Sequence, residues 1–203
     1  MADLTYYIYA SLILLIICLL VIIVLLIQNS VDEKRLKATP SISKQDAIST
    51  AFASIKINAS ADEVFDVISS FKHYGSGHAQ YTWGISSEKH PTVGSKGLYK
   101  FHLEEYQHRT IPVILTLLDR KNRKMAAKST SYPNWLLSTE RVQEVVPVVG
   151  RSGICEYRTW QTLQGVAAYY PLLTASEDLD DLVRDAAREL KEFVERRKVK
   201  NVK

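Results

Sequence analysis

Few charged side chains in this sequence are placed where they could take part in catalysis. Glu105 continues the two-residue alternation of Tyr99, Phe101 and Leu103, which puts it on the apolar face of a predicted strand. Apolar surroundings raise a carboxyl pKa toward neutrality, where the group can act as a general acid or base. The alternative is that the strand ends before Glu105 and the carboxylate meets water. The sequence leaves both interpretations open.

Glu156 and Arg158 form a second candidate pair near the end of the β-rich part of the chain. Side chains two residues apart on a strand lie on the same face, so these two can interact. They can form an ion pair at the surface, or they can bind the polar headgroup of a ligand. The sequence is compatible with either role.

The sequence lacks the motifs of metal, nucleotide and serine-nucleophile chemistry. It has no Gly-x-Ser-x-Gly, no His-Glu-x-x-His, no paired Cys-x-x-Cys, and neither a Gly-x-Gly-x-x-Gly nor a Lys-Ser/Thr phosphate loop. The five histidines are scattered and are interpreted as surface residues. A formal net charge of +4 over 203 residues is too small to indicate a nucleic-acid partner. We therefore expect no metal, no cofactor and no nucleic acid.

An apolar segment near the N-terminus comes before all of these residues. The segment 6–27 opens with Tyr6 and closes with Ile27; it has no charge, proline or glycine, and sixteen of its residues are Leu, Ile or Val. At about 1.5 Å per residue, a helix of this length spans the roughly 30 Å hydrocarbon core of a bilayer. A cleaved signal peptide would have a basic start and a small-residue cleavage site. Neither is present, so residues 1–28 are predicted to be a retained transmembrane anchor.

The charges that follow the apolar segment predict its orientation. Lys34, Arg35, Lys37 and Lys44 come shortly after it, whereas no lysine or arginine precedes it. Positive charge close to a span favours the cytoplasmic side. A single-pass membrane protein with a cytosolic domain is therefore predicted.

The rest of the chain divides into a linker and one domain. Residues 29–50 have no sustained apolar period and are predicted to be a linker with little structure of its own, followed by a domain over 51–203 with a basic C-terminal tail. Capping-box spacing at 60–63 and 174–177 predicts two helices, the first ending near His73. Seven runs predict strands: 52–57, 83–88, 98–106, 111–118, 125–131, 139–148 and 154–163. This order predicts an α+β domain, one curved antiparallel sheet against a long C-terminal helix.

This order of elements resembles the START-like superfamily, also called SRPBCC, and in particular its polyketide cyclase/dehydrase and lipid-transport branch. Residues 53–68 (ASIKINASADEVFDVI) are similar to its first strand and helix. Further similarity lies in the aromatic turn 71–74, in Trp83, in the Val-Gly-x-x-Gly-type turn 93–97, and in the final strand 153–160. The resemblance covers about residues 50–198. It implies a seven-stranded helix-grip fold with an elongated apolar cavity between the sheet and the last helix.

Aromatic and apolar side chains of the domain are candidates to line such a cavity, because a ligand pocket combines apolar walls with a few polar atoms. The same residues would also suit an ordinary core. Together with Arg158, the candidate ligand-binding residues are Tyr81, Trp83, Tyr99, Phe101, Leu103, Met125, Trp135, Tyr157 and Trp160.

Two functions of different classes follow. The first is a membrane-anchored module that binds, presents or transfers a hydrophobic small molecule or lipid. The second is a polyketide cyclase- or dehydratase-like enzyme that acts on a hydrophobic intermediate, for example in secondary-metabolite biosynthesis. Glu105 would be its catalytic carboxylate. The missing catalytic motifs favour the first function.

Overall fold

The computed structural model describes residues 2–30, 35–69, 79–83, 91–103, 107–151, 153–170 and 176–201. For some of these, including 79–83, 101–103 and 107–109, only the backbone is described. The chain divides into two compact units, Met1–Lys34 and Arg35–Lys203.

The first unit contains one helix, α1, over Ala2–Ser30. Its stretch Tyr6–Val24 is long and apolar enough to cross a membrane, by length and composition, and none of that stretch is buried inside the protein. A signal sequence near an N-terminus would have the same properties. The helix therefore provides weak evidence for the predicted anchor.

Seven strands of the second unit form one antiparallel sheet in the order β1-β7-β6-β5-β4-β3-β2. Their bounds are β1 Ser49–Ile57, β2 Ala79–Trp83, β3 Lys96–Leu103, β4 Gln107–Asp119, β5 Lys124–Ser129, β6 Ser138–Pro147 and β7 Cys155–Gln164. A register shift between Leu115 and Leu117 interrupts the pairing of β4 with β5, and such bulges bend a sheet. The predicted antiparallel sheet with a long C-terminal helix is confirmed. The second predicted strand differs, because β2 ends at Trp83 rather than beginning there.

Among the described residues of this unit, two α-helices pack with the sheet, α2 over Ala61–Ser69 and α3 over Ser176–Asn201. The predicted capping box at the start of α2 is present: the Ser60 amide donates to Glu63 Oε2 at 2.9 Å and the Glu63 amide donates to Ser60 Oγ at 3.3 Å. The predicted end of this helix near His73 and most of the 174–177 capping box lie outside the described residues.

One face of the sheet packs against the helices, and we call it the concave face. Its core joins α2, α3 and the central strands through buried side chains that include Phe65, Leu115, Tyr157, Val183 and Leu190. The other face, the convex face, has a smaller cluster of Ala126, Val142 and Trp160. The curved sheet therefore has two apolar faces, and each of them must be covered.

Residues 37–48, which we call the strap, cover part of the convex face. Trp160 Nε1 donates to the Ala38 carbonyl at 3.1 Å, and Thr162 Oγ1 donates to the Lys37 carbonyl at 2.7 Å. Ile42 in the strap is 1% exposed. The structure differs here from the linker prediction for 29–50, because this segment packs on the sheet and contributes to the core.

Gly165 joins β7 to a short 3-10 helix, Val166–Ala168, and its conformation requires glycine. Its φ of 100° and ψ of 165° lie in a region that only glycine populates readily. A Cβ atom there would lie 2.7 Å from the Leu136 carbonyl oxygen and 2.8 Å from that of Asn134. Gly94 has a similar φ of 95°, but a Cβ atom there would meet nothing within 4 Å.

Gly165→Ala is therefore expected to destabilise the domain more than Gly94→Ala. Both substitutions introduce backbone strain of roughly 1–3 kcal/mol, but only the first adds a collision with backbone atoms. Urea unfolding of the full chain in detergent micelles, followed by tryptophan fluorescence, measures both changes. Equal losses in the two variants would contradict the close approach at Gly165.

Cys155 lies at the start of β7 in the concave core and is fully buried. Burial, followed by the negative charge of Glu63, raises the pKa of its thiol to about 11. The thiol therefore stays protonated at neutral pH and becomes reactive only as the pH rises through about 11.

Alkylation of Cys155 by iodoacetamide at pH 8 is expected to require unfolding. A thiol with this pKa is only about 0.1% thiolate at that pH, and the folded core shields the sulfur. Peptide mapping by mass spectrometry, with and without urea, measures the fraction of Cys155 that is alkylated. Rapid modification in the absence of urea would show that the sulfur is accessible.

Candidate ligand-binding site

A cavity lies on the concave face between the sheet and α3. Its volume is about 50 Å³, which is room for a few water molecules. A ligand of ordinary metabolite size must therefore displace side chains or occupy the cavity only with one end. The lining side chains come from β3 to β7 and from α3: Tyr99, Ile111, Val113, Ala127, Ser129, Thr139, Arg141, Gln161 and Leu182.

Arg141 on β6 is the charged residue that lines the cavity. It is 6% exposed. Its Nε donates to Thr159 Oγ1 at 3.1 Å, and its Nη1 donates to Tyr99 Oη at 3.2 Å. Thr159 Oγ1 donates in turn to the Val142 carbonyl at 2.9 Å. An arginine remains charged when buried, so the β6 backbone, Thr159 and Tyr99 fix a permanent positive charge beside the cavity.

The two buried tyrosines near Arg141 remain protonated at neutral pH. Burial raises the pKa of Tyr99; the nearby Arg141 opposes this rise and the Glu189 carboxylate adds to it. Burial also raises the pKa of Tyr157, whose hydroxyl donates to Gln143 Oε1 at 2.7 Å. A neutral phenol can donate a hydrogen bond, so the Tyr99 hydroxyl can serve a bound ligand as a donor.

The cavity therefore combines an apolar wall with a polar end. Ile111, Val113 and Leu182 can contact a hydrocarbon or aromatic group. Arg141 and Tyr99 can bind a carbonyl, hydroxyl or carboxylate oxygen, because both present N–H or O–H donors. In the part of the chain that the structure describes, no group of three or more His, Cys, Asp or Glu side chains could hold a metal ion.

Three of the residues predicted to bind ligand are buried on the concave face. Tyr99 lines the cavity. Tyr157 and Met125 are 1% and 0% exposed and pack in the main core rather than against the cavity. That these three residues bind a ligand stays a prediction.

Three other predicted residues lie elsewhere. Trp160 is on the convex face under the strap, and Arg158 is on the same face, where its Nη2 lies 2.6 Å from Glu156 Oε2. That contact is the ion pair that the sequence left open as one alternative. Trp135 belongs to the β5–β6 connection and is 69% exposed. None of these three lines the cavity.

The remaining predicted residues lie in segments whose side chains are not described. Tyr81 and Trp83 lie in β2, where Tyr81 is the register partner of Tyr99, and Phe101 and Leu103 lie in β3. Their side chains are outside the described part of the structure, as is Glu105 altogether.

Arg141, Thr159 and Gln161 were not among the predicted site residues. The strand 139–148 was predicted correctly, but it carries polar residues on both faces, so its alternation did not distinguish a buried arginine from an exposed one. The useful signal was the position of Arg141 in a central strand, between β5 and β7, where side chains have little access to water.

Comparison with known proteins gives structural likenesses only. No family model and no curated protein matches the sequence. Norcoclaurine synthase from Thalictrum flavum, solved with a transition-state analogue, matches with a TM-score of 0.52 and 18% identity over 74% of this chain and 96% of that one. The di-domain ARO/CYC protein BexL, from the BE-7585A biosynthetic pathway, matches with a TM-score of 0.56 and 14% identity over 72% of this chain and 46% of that one. Ara h 8.0201 matches with a TM-score of 0.50 and 8% identity over 72% of this chain and 95% of that one.

The domain has the helix-grip fold. At these identities the likenesses show the fold alone, and the resemblance to the START-like superfamily stays a prediction. Because one fold can carry many unrelated functions, these likenesses do not decide between binding and catalysis.

Proposed function

We propose that the protein binds a hydrophobic small molecule or lipid that carries one polar oxygen-containing group. The buried Arg141, held between Thr159 and Tyr99 beside the cavity, is the observation on which the proposal rests. These two hydrogen bonds hold the guanidinium in place, and it faces a space whose other wall is apolar. A second structure of norcoclaurine synthase, with dopamine and hydroxybenzaldehyde, shows that a protein of this fold holds small aromatic molecules with polar groups.

We further propose that α1 anchors this domain to a membrane and that the domain faces the cytosol. The support is the apolar stretch Tyr6–Val24 and the basic residues that follow it. Hydrophobic ligands partition into bilayers, so a tether keeps the domain close to its ligand. The proposed organisation is an anchor over 1–28 and a ligand-binding domain over 51–203, with the intervening 29–50 including the strap.

Ligand extraction from the full chain tests the binding function. The protein is purified from membranes in detergent, extracted with organic solvent and analysed by mass spectrometry against a mock purification. A single enriched compound with an apolar body and a carbonyl, hydroxyl or carboxylate group is expected. If no compound is enriched, and none of a panel of fluorescent fatty acids, sterols and quinones binds to the purified chain, the proposal is wrong.

A second candidate function is a cyclase- or dehydratase-like reaction on the same type of molecule. It is favoured by the adjacent guanidinium of Arg141 and protonated phenol of Tyr99, which together could stabilise an enolate oxygen. Glu105 is the candidate base. Incubation of the extracted compound with the wild type and with Glu105→Gln distinguishes the functions, because a carrier returns the compound unchanged in both cases.

A further inference from the structure

We propose that one end of the domain docks on the headgroup region of a lipid bilayer. Four large side chains are exposed there: Tyr132 at 55%, Trp135 at 69%, Val166 at 62% and Tyr170 at 72%. The first two belong to the β5–β6 connection and the last two to the segment after β7. We call these four residues the aromatic tip. The docking proposal rests on the proposed membrane tether, but it does not depend on the identity of the ligand in the cavity.

The two segments of the aromatic tip are joined by backbone hydrogen bonds. The Val166 amide donates to the Trp135 carbonyl at 3.0 Å, and the Ala167 amide donates to the Leu136 carbonyl at 2.8 Å. Gly165 permits this close approach because it has no Cβ. The exposed side chains of Trp135 and Val166 therefore belong to backbone that is held by these hydrogen bonds, so their exposure is a property of the fold.

The composition of the tip favours lipid over water. Tryptophan and tyrosine have an apolar body and one polar atom, and they concentrate at the headgroup level of membranes. Residues 130–137 and 165–170 contain no charged side chain. These two segments therefore bring no charge of their own into the membrane, and such a charge would oppose insertion.

A bilayer fits the tip better than a second protein. At the exposed fractions above, and at about 150–250 Å² for each aromatic side chain, the tip offers roughly 500 Å². A stable protein interface buries about 800 Å² on each partner. A small protruding apolar end is sufficient for a domain that is already tethered, because the tether supplies the local concentration.

The tip also lies beside the cavity. Ser129 and Thr139, which line the cavity, stand on either side of the β5–β6 connection that carries Tyr132 and Trp135. Gln161, another lining residue, is in the strand that leads to Gly165. Docking would therefore bring this side of the cavity close to lipid, where a hydrophobic ligand can exchange without crossing water.

Tryptophan quenching in vesicles tests the docking. The apolar helix α1 contains no tryptophan, so the emission of the full chain comes from Trp83, Trp135 and Trp160. The chain is reconstituted into phosphatidylcholine vesicles whose acyl chains carry bromine near the headgroup, and its emission is compared with that in unbrominated vesicles. The difference between the wild type and Trp135→Phe isolates the signal of Trp135.

We expect bromine to quench the Trp135 signal in the wild type and in Val149→Asp, but not in Val166→Asp or Tyr132→Asp. Val149 is a matched control because it is 98% exposed and follows β6, at the opposite end of that strand from the tip. Circular dichroism confirms that each variant folds, and the two tip variants provide independent tests.

Three results would overturn the docking. If the chain floats with the vesicles and Trp135 is quenched by aqueous iodide but not by bromine, docking is wrong and the tether stands. If Trp135 is shielded from both quenchers and chemical cross-linking gives a dimer, the tip binds a second copy. If the chain does not float with the vesicles, the tether and the docking fail together. Ligand extraction from the same preparation reports separately on the cavity.

Discussion

Replacing Glu140 with alanine is expected to release the strap from the convex face and to destabilise the domain by roughly 3–5 kcal/mol. Glu140 lies in β6 and is fully buried. Its carboxylate accepts hydrogen bonds from the Ser41 amide at 2.8 Å and from the Ser41 hydroxyl at 2.6 Å. The hydroxyls of Thr39 and Thr116 donate to it as well.

The size of this effect follows from the number of donors that would be left without an acceptor. Hydrogen bonds to a charged group contribute about 1.5–3 kcal/mol each, and a buried donor without an acceptor costs about 1–3 kcal/mol. These contributions are not additive within one network, so the estimate is well below their sum. Glu140→Gln keeps one acceptor oxygen and is expected to lose less than Glu140→Ala.

Limited trypsin digestion of the full chain in micelles measures the release of the strap. Cleavage after Lys37 and Lys44, both in the strap, is expected to accelerate in Glu140→Ala. Glu144→Ala is the matched control, because Glu144 lies on the same face of β6 but contacts Lys124 at 3.8 Å near the surface. Equal cleavage rates in the wild type and in Glu140→Ala would show that the carboxylate does not hold the strap.

Replacing Arg141 with methionine is expected to weaken binding of the extracted ligand about 10- to 100-fold. Methionine keeps an unbranched apolar side chain of comparable reach but removes the charge and its donors. The expected loss corresponds to one hydrogen bond from a charged group, about 1.5–3 kcal/mol. Arg141→Lys should retain part of the affinity, since it keeps the charge without the planar geometry of the guanidinium.

Fluorescence or calorimetric titration of the full chain with the extracted compound gives these affinities. Arg158→Met is the control, because Arg158 lies on the convex face and pairs with Glu156. Thermal unfolding of each variant without ligand separates lost binding from lost folding, since Arg141 also donates to Tyr99 and Thr159 within the core. Unchanged affinity in a folded Arg141→Met would place the polar group of the ligand elsewhere.

Local patterns in the sequence were sufficient to predict most of the domain. The capping box at Ser60 and Glu63 is satisfied by residues three apart, so it could be read directly. Six of the seven predicted strands overlap the observed ones over most of their length, because alternation and turn residues are local signals.

The strap could not be predicted in this way. Its stretch 37–48 has no apolar period, and it is held by Glu140, about one hundred residues later in the sequence. Nothing in the sequence near Ser41 indicates that its amide will donate a hydrogen bond to a buried carboxylate. The interaction appears only once the sheet has brought β6 under the segment.

The candidate site was predicted in part for a similar reason. Trp160 and Tyr157 are both large aromatic residues on β7, but they differ by an odd number of positions and so lie on opposite faces. Residue type made both of them cavity candidates, whereas only the register decides which face each one occupies. Because the strap covers the convex face, burial occurs on both sides of the sheet and apolar character no longer identifies the concave one.

The strap also determines where the chain can be shortened for work in aqueous solution. A recombinant fragment that began at residue 51, where the sequence predicted the domain to start, would lack Ile42 and every donor to Glu140 except Thr116. It would expose Trp160 and leave a carboxylate on an uncovered apolar face, so aggregation is the expected behaviour. A fragment that begins at Arg35 retains these contacts and removes the apolar helix, and it is the shorter form with which crystallisation should start.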